Sequence, residues 1–261
     1  MVYYVIATML ALFFGQVAGH LNKKLPPVVA EEITYKEFFS TLVKNFKIDY
    51  LFSLTYILLF NLLIYFIGFN ITTVIYFVTI FSLSIAFCID FKYQLIPDEV
   101  SILIAICGIV NIFFNISNWW NYLLGAVIGG AIFYTLNLIA LIILKKEGMG
   151  LGDVKLMAAL GLLFGIKNIL VITLVSFMIG AVIGIIVMIV KRKEKEEYIA
   201  FGPFIVIATA ILMFTGPDII IEIFISFCSY LGVCETPVAA CSGWADPVAG
   251  FYAEHDFRQN H

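Results

Sequence analysis

Long apolar runs alternate with short polar segments along almost the whole chain. A helix that crosses the hydrocarbon core of a bilayer needs about 20 mostly apolar residues, and most of the runs approach that length. The pattern predicts eight membrane-spanning helices, at residues 2–18, 50–67, 72–89, 100–114, 122–144, 154–166, 168–190 and 199–214. The predicted fold class is therefore an all-α polytopic membrane protein.

The lysines and arginines predict how these helices are oriented. With the amino terminus outside, segments 19–49, 90–99, 145–155 and 191–198 face the cytoplasm and carry 13 of the chain's 15 Lys and Arg residues. Cytoplasmic loops collect these cations, so we expect this orientation. Trp119 and Trp120 then fall in an outer turn, where interfacial aromatic side chains are common.

Composition supports a membrane domain and limits the other classes. Hydrophobic residues make up 62% of the chain and charged residues 13%, about half the charged share of a soluble domain. The five cysteines form no CxxC pair, which disfavours a zinc ribbon or a thioredoxin-type site. We expect a membrane domain over residues 1–233, in which 218–233 form a ninth span or an interfacial helix. Residues 234–261 are a polar tail with no assigned role.

Two acid-bearing segments fall on the predicted cytoplasmic side. Asp90 closes the third span, and Asp153 opens the sixth, directly after three alternating glycines at positions 148, 150 and 152. An ionisable residue at a membrane boundary indicates a functional site. Glycines also permit close approach of another chain, so an extended substrate can reach Asp153.

The acids of the first segment have structural explanations as well as chemical ones. Asp98 precedes an apolar helix, where an aspartate side chain commonly caps the free backbone N–H groups. Asp90 lies at a helix carboxyl end, where an anion is disfavoured, and its structural explanation is an ion pair with Lys92 or with another loop cation. Two adjacent carboxylates can share one proton, so that one activates water while the other polarises a peptide carbonyl. Spacing and topology leave open whether Asp90 and Asp153 meet.

The combination of motifs resembles the type IV prepilin peptidase family of GxGD membrane aspartyl proteases. The resemblance rests on Asp90 with Lys92, on Ile96-Pro97-Asp98, and on the segment from Gly148 to Leu156; segments 200–204 and 15–26 are more distantly similar. It covers roughly residues 1–215. It implies that Asp90 and Asp153 are the catalytic pair, in a site where Gly150, Gly152, Asp98 and Lys155 bind substrate or support the acids.

The resemblance also implies a reaction and a location. The enzyme would cleave the leader peptide of prepilin-like proteins after a glycine, at the cytoplasmic face of the cell membrane. Proteolysis would need neither a metal nor another cofactor, and no nucleic acid partner is expected. Many members also methylate the new amino terminus with S-adenosylmethionine and carry a cysteine-rich zinc insert in the first loop. Residues 19–49 contain no cysteine, so methylation remains open, as do the particular prepilin and the oligomeric state.

Two other functions compete with this interpretation. A presenilin-like intramembrane protease also uses GxGD, but here no tyrosine stands directly before Asp90, and Phe201-Gly202-Pro203 replaces a Pro-Ala-Leu segment. A proton-coupled transporter would use paired acids as well, but such transporters often have inverted halves, which this sequence does not show. Cleavage of a substrate distinguishes the proteases from the transporter.

Overall fold

The computed structural model describes residues 8, 9, 11, 12, 14–17, 50–144, 150–190 and 200–230. These residues are helical almost throughout, and the described part of the chain contains no strand. The helices are α1 (Tyr50–Ile67), α2 (Ile71–Tyr93), α3 (Asp98–Phe114), α4 (Trp119–Leu144), α5 (Leu151–Val190) and α6 (Gly202–Tyr230), with a 3-10 turn at Ile116–Asn118. The all-α prediction is confirmed.

Four stretches are long and apolar enough to cross a membrane. They are Ile71–Tyr93, Ile116–Ile143, Leu151–Val187 and Gly202–Ser226, and Ser53–Ile67 is a shorter apolar helix. The protein is therefore a polytopic membrane protein, as predicted. The count of eight spans and the outside amino terminus remain predictions, because much of the first span and the loop 19–49 lie outside the described residues.

The long helix α5 is two helices that meet at Gly165. This residue has φ 78° and ψ −178°, a conformation that glycine adopts far more readily than other residues. The contacts along α4 come in three levels: Gly125 against Gly161, Gly129 against Met157 and Ile169, and Phe133 against Phe177. Moving along α4 from Gly125 to Phe133, the contacted residues of α5 have decreasing residue numbers before Gly165 and increasing residue numbers after it. The chain therefore reverses direction at Gly165. The sequence predicted this break two residues later, at Lys167.

Helices α4 and α5 cross at glycines that leave no room for side chains. A Cβ on Gly125 would lie 2.7 Å from the backbone carbon of Gly165, and a Cβ on Gly161 would lie 2.8 Å from the amide nitrogen of Ala126. Small residues let membrane helices approach closely, and the packing between them then holds the helices together. The crossing fixes the first half of α5, which carries the Gly152-Asp153 sequence.

Several polar side chains within the apolar helices form hydrogen bonds to backbone carbonyls. The hydroxyls of Thr79, Thr173, Ser176 and Thr209 donate to carbonyls four residues earlier in their own helices, as Thr79 does to Ile75 at 2.8 Å. The Asn111 side chain of α3 donates to the Leu163 carbonyl at 3.1 Å. Because an unpaired polar group in hydrocarbon is costly, these bonds make the helices compatible with an apolar setting and tie α3 to α5.

The contacts divide the chain into two compact units, Met1–Pro217 and Asp218–His261. Helix α6 is interrupted at Gly216, which has φ 73° and is followed by Pro217. Residues 218–230 are helical, which both a ninth span and an interfacial helix require, so these alternatives remain open. The predicted boundary before residue 234, and the tail, lie outside the described residues.

Candidate active site

Asp90 lies in the last turn of α2 and is buried, with 5% of its surface exposed. The helix ends at Gln94, which has a left-handed conformation (φ 54°, ψ 40°) and donates its backbone N–H to the Asp90 carbonyl at 2.8 Å. The Asp90 carboxyl group faces the backbone N–H of Gly202, its hydrogen-bond donor at the start of α6.

The ion pair between Asp90 and Lys92 is absent from the described part of the molecule. The Lys92 ammonium lies instead over the Tyr93 ring, 5.2 Å from its centroid, and Lys92 is exposed whereas Asp90 is buried. A cation over an aromatic face is attracted by the ring quadrupole. The expected ion pair with Lys92 is therefore not formed, while the cations of segments 145–149 and 191–199 lie outside the described residues.

Asp153 lies in the first turn of α5 and is equally buried, with 6% exposed. Its backbone N–H donates to the Gly150 carbonyl at 3.1 Å. The backbone N–H of Gly150 in turn donates to the Asp153 carboxyl group. Gly150 thus holds Asp153 by both its backbone groups, while Gly148 lies outside the described residues.

The fold brings Asp90 and Asp153 together from the ends of two apolar helices, close enough for a direct electrostatic interaction between the carboxyl groups. One oxygen of each, Asp90 Oδ2 and Asp153 Oδ1, is buried and has no hydrogen-bond partner among the described residues. Buried polar atoms are nearly always paired, and an exception requires an explanation such as a catalytic role or a water molecule. The unpaired oxygens of two interacting carboxyl groups can hold a water molecule or a substrate carbonyl.

Two residues that carried no role in the sequence interpretation form a wall of this site. Ile96, in the connection from α2 to α3, is 7% exposed. A Cβ on Gly152 would lie 3.0 Å from Ile96 Cβ, and a Cβ on Gly202 would lie 3.1 Å from Ile96 Cδ1. Ile96 therefore packs between the glycine that precedes Asp153 and the glycine that faces Asp90. Both residues belong to the segments that carry the resemblance, but their meeting depends on the fold.

Asp98 is the first residue of α3 and pairs with Lys155. The Lys155 ammonium lies 2.8 Å from both oxygens of Asp98, and the two side chains are 59% and 55% exposed. The prediction that Asp98 is the N-cap is wrong, because Pro97 occupies the N-cap position and Asp98 is already the first helical residue. The pair instead ties the start of α3 to the first half of α5, two residues beyond Asp153.

An open groove of about 480 Å³ extends from this ion pair between α3, α4 and α5. Its polar lining consists of Asp98, Lys155 and Ser101, and the rest is apolar, including Ala105, Ala126 and Ala158. The Ser101 hydroxyl is buried without a hydrogen-bond partner in the described structure. Within the described ranges, no group of three or more His, Cys, Asp or Glu side chains is arranged to hold a metal ion.

Comparison with known families and proteins agrees with this arrangement of motifs. Residues 77–185 match the profile of the type IV leader peptidase family, a range that includes Asp90 and Asp153 but ends before Gly202. A prepilin leader peptidase/N-methyltransferase of Xanthomonas campestris pv. campestris is 37% identical over 133 residues, 51% of this chain and 46% of the relative. No solved structure matches the chain.

Further relatives carry the same name and cover a similar part of the chain. The protein of Legionella pneumophila is 33% identical over 157 residues, 59% of this chain and 54% of the relative. The protein of Neisseria gonorrhoeae is 34% identical over 144 residues, 54% of this chain and 47% of the relative. The chain thus spans about half the length of the curated relatives it matches. The resemblance read from the sequence is confirmed over residues 77–185, which match the type IV leader peptidase family.

Proposed function

We propose that this protein is a membrane aspartyl endopeptidase that removes the leader peptide of prepilin-like proteins. The observation that carries the proposal is the pair of buried carboxyl groups of Asp90 and Asp153, each with one unpaired oxygen, in a domain of the leader peptidase family. The relatives are named prepilin leader peptidase/N-methyltransferase, which supports the substrate class.

The proposed reaction uses the two acids as one unit. Like charges a few ångström apart disfavour a doubly ionised pair, so the pair holds one proton. The ionised carboxylate takes a proton from a water molecule, which attacks the scissile carbonyl carbon. The protonated carboxyl group donates to the carbonyl oxygen, where negative charge develops. Proton transfer to the leaving nitrogen then completes hydrolysis, and no metal or other cofactor takes part.

The surrounding residues suit a polypeptide substrate. Gly150 leaves the backbone beside Asp153 without a side chain, so an extended chain can approach the acid closely, and Gly152 leaves room for Ile96 to pack against the same segment. Asp98 and Lys155 lie where the groove between α3, α4 and α5 begins. We assign these four residues to supporting the site or contacting the substrate.

The proposal places the site at the cytoplasmic face of the cell membrane. The cations of segments 90–99 and 145–155 lie next to Asp90 and Asp153 in the sequence, and such cations mark the cytoplasmic side. Helix α3 begins at Asp98 and ends close to Trp119 and Trp120, so the acids and the tryptophans lie at opposite ends of the helices.

The test is cleavage of a purified prepilin-like substrate by the full chain in detergent. Asp90→Asn and Asp153→Asn keep the size and polarity of each side chain but remove its charge. We expect each change to lower kcat by at least about 100-fold, the lower range for general acid–base catalysis, with the protein still folded. Asp218→Asn, at an exposed acid of α6 outside the family match, is the matched control and should cleave normally.

Three outcomes would contradict the proposal. If either active-site variant cleaves at the rate of the unchanged protein, Asp90 and Asp153 are not the catalytic pair. If the unchanged protein cleaves no prepilin-like substrate but cuts within a transmembrane segment, a presenilin-like protease is the better interpretation. If it cleaves nothing and carries protons across vesicle membranes, it is a transporter.

N-methylation stays outside this proposal. The relatives are named as N-methyltransferases, and S-adenosylmethionine is the cofactor such a reaction would use. Residues 19–49 contain no cysteine, in contrast to the zinc insert that the resemblance associates with methylation. The mass of the cleaved product, with S-adenosylmethionine in the reaction, measures this second activity directly: one methyl group adds about 14 Da by its composition.

A further inference from the structure

We propose that Gly202 is a positioning residue for Asp90, and this inference rests on the proposed function. Gly202 is the first residue of α6 and lies 17 residues beyond the end of the family match at residue 185. It faces the Asp90 carboxyl group with its backbone N–H. The chemistry of the acid pair thus depends on a residue from a third helix.

The contact excludes any side chain at position 202. A Cβ there would collide with Asp90 Oδ2, and it would lie 2.9 Å from Asp90 Cγ. A contact under about 3 Å between a Cβ and a buried carboxyl group requires that group to move, because the interior is close-packed. The Asp90 side chain cannot retreat easily, since it is 5% exposed and its backbone is held by the Gln94 cap. Alanine at position 202 therefore displaces the carboxyl group from the partner acid.

The backbone N–H of Gly202 is the second means by which this residue positions the Asp90 carboxyl group. The first N–H groups of a helix have no partner within the helix, and at the start of α6 one of them is directed at the Asp90 carboxyl. Pro203 follows, and proline at an early helical position suits the start of a helix because it lacks an N–H that would need a partner. Glycine at 202 lets this donor approach the carboxyl group, which a larger residue would keep away.

Ile96 separates a positioning role from simple packing. The Cβ of an alanine at 202 would also lie 3.1 Å from Ile96 Cδ1. Ile96→Val removes that methyl group and leaves the collision with Asp90 in place. If the damage in Gly202→Ala comes from crowding against Ile96, Ile96→Val will relieve it. If the loss of activity comes from displacement of Asp90, it will remain in the double variant.

The first experiment compares cleavage kinetics of four forms of the full chain: unchanged, Gly202→Ala, Gly202→Ala with Ile96→Val, and Gly184→Ala. We expect Gly202→Ala to lower kcat about 100-fold, the loss associated with a misplacement of about 1 Å, with KM changed less than about threefold and no recovery with Ile96→Val. Gly184→Ala, where nothing lies within 4 Å of the added methyl group, should leave kcat unchanged. Normal activity of Gly202→Ala, or recovery of activity with Ile96→Val, overturns the inference.

A second measurement needs neither activity nor a folded Gly202→Ala variant. Labelling phenylalanine with ¹³C at the carbonyl and glycine with ¹⁵N selects amides that follow phenylalanine, and the chain has three, Gly15, Gly165 and Gly202. Phe14→Leu and Phe164→Leu remove the other two and assign the signal of Gly202. In Asp90→Ala, which removes the acceptor, this signal should move while that of Gly165 stays. A Gly202 signal that does not move in Asp90→Ala overturns the inference. Failure of the protein without substitutions to cleave a prepilin-like substrate contradicts only the proposed function.

Discussion

At the scale of the residue, the ion pair of Asp98 and Lys155 is an exposed contact from which we expect little stabilisation. Both side chains are more than half exposed, and pairs of this kind contribute about 0–1 kcal/mol. We therefore expect Asp98→Asn to change the free energy of unfolding by less than about 1 kcal/mol, measured by denaturant titration in detergent. Its effect on cleavage depends on what the pair contacts.

Exchanging the two residues separates support of the site from contact with substrate. If the pair only ties α3 to α5, the double variant Asp98→Lys with Lys155→Asp restores the contact, and we expect kcat/KM within about threefold of the unchanged protein, since the exchanged pair has the same small energy. If either charge contacts the substrate, the double variant stays as impaired as the single ones. That result would mean that Asp98 and Lys155 bind the substrate and do not only support the site.

The sequence identified the acids of the site but not the residues that hold them. Asp90 and Asp153 can be identified from the sequence because a carboxylate at the end of a membrane-spanning helix is energetically costly and therefore indicates a functional site. Gly202 and Ile96 are ordinary residues of their own segments, and their role arises from contacts with Asp90 and Gly152 in other helices. No local pattern carries that information, because each contact joins residues brought together only by helix packing.

At the scale of the helix, the crossing of α4 and α5 depends on the absence of side chains. A methyl group on Gly161 would collide with the Gly125 carbonyl and lie 2.8 Å from the Ala126 nitrogen. These are backbone atoms that cannot rotate away, so Gly161→Ala should separate the helices. We expect a destabilisation of about 1–3 kcal/mol or more, as for overpacked interiors, measured as a lower Tm in detergent.

The control for this change is again Gly184→Ala in the second half of the same helix. It adds the same methyl group in open space and improves helix propensity, so its Tm should not fall. Equal Tm values for the two variants would mean that α4 and α5 do not cross as closely as described.

The reversal at Gly165 was partly predictable. Lys167 interrupts the apolar run and separates two predicted spans, which is why the break was expected there. The turn itself uses Gly165, and the Asn121 side chain accepts the Ile166 N–H at 3.2 Å. That bond satisfies an amide that the broken helix leaves free. Periodicity cannot reveal it, because the acceptor is 45 residues away.

At the scale of the whole molecule, the orientation in the bilayer can be tested with cysteine labels. Lys92→Cys and Asn118→Cys each place an exposed thiol at opposite ends of the helices, in a chain whose five native cysteines are replaced by alanine or serine. In intact cells, a membrane-impermeant maleimide should label position 118 and label position 92 only after permeabilisation. The reverse pattern would place the acids outside and contradict the assignment from the positive charges.

The helical, polytopic class was accessible from the sequence because hydropathy acts over a whole segment and tolerates local error. The number of spans was harder to predict from the sequence, because α5 consists of two helices that are separated by the single residue Gly165. The predictions for the loop 19–49 and the tail after residue 233 lie outside the described residues and stay predictions.

The reversal at Gly165 also limits how deep the acid pair lies. Twelve residues separate Gly165 from Asp153, which corresponds to about 18 Å along a helix, whereas the hydrocarbon core is about 30 Å thick. Gly165 lies at the level of Asn121, next to the tryptophans, so the part of α5 between this turn and Asp153 is about 12 Å shorter than the hydrocarbon core. A bilayer accommodates a short element by thinning around it. The acyl chain length of the surrounding lipids therefore helps to determine how readily water and substrate reach the acids.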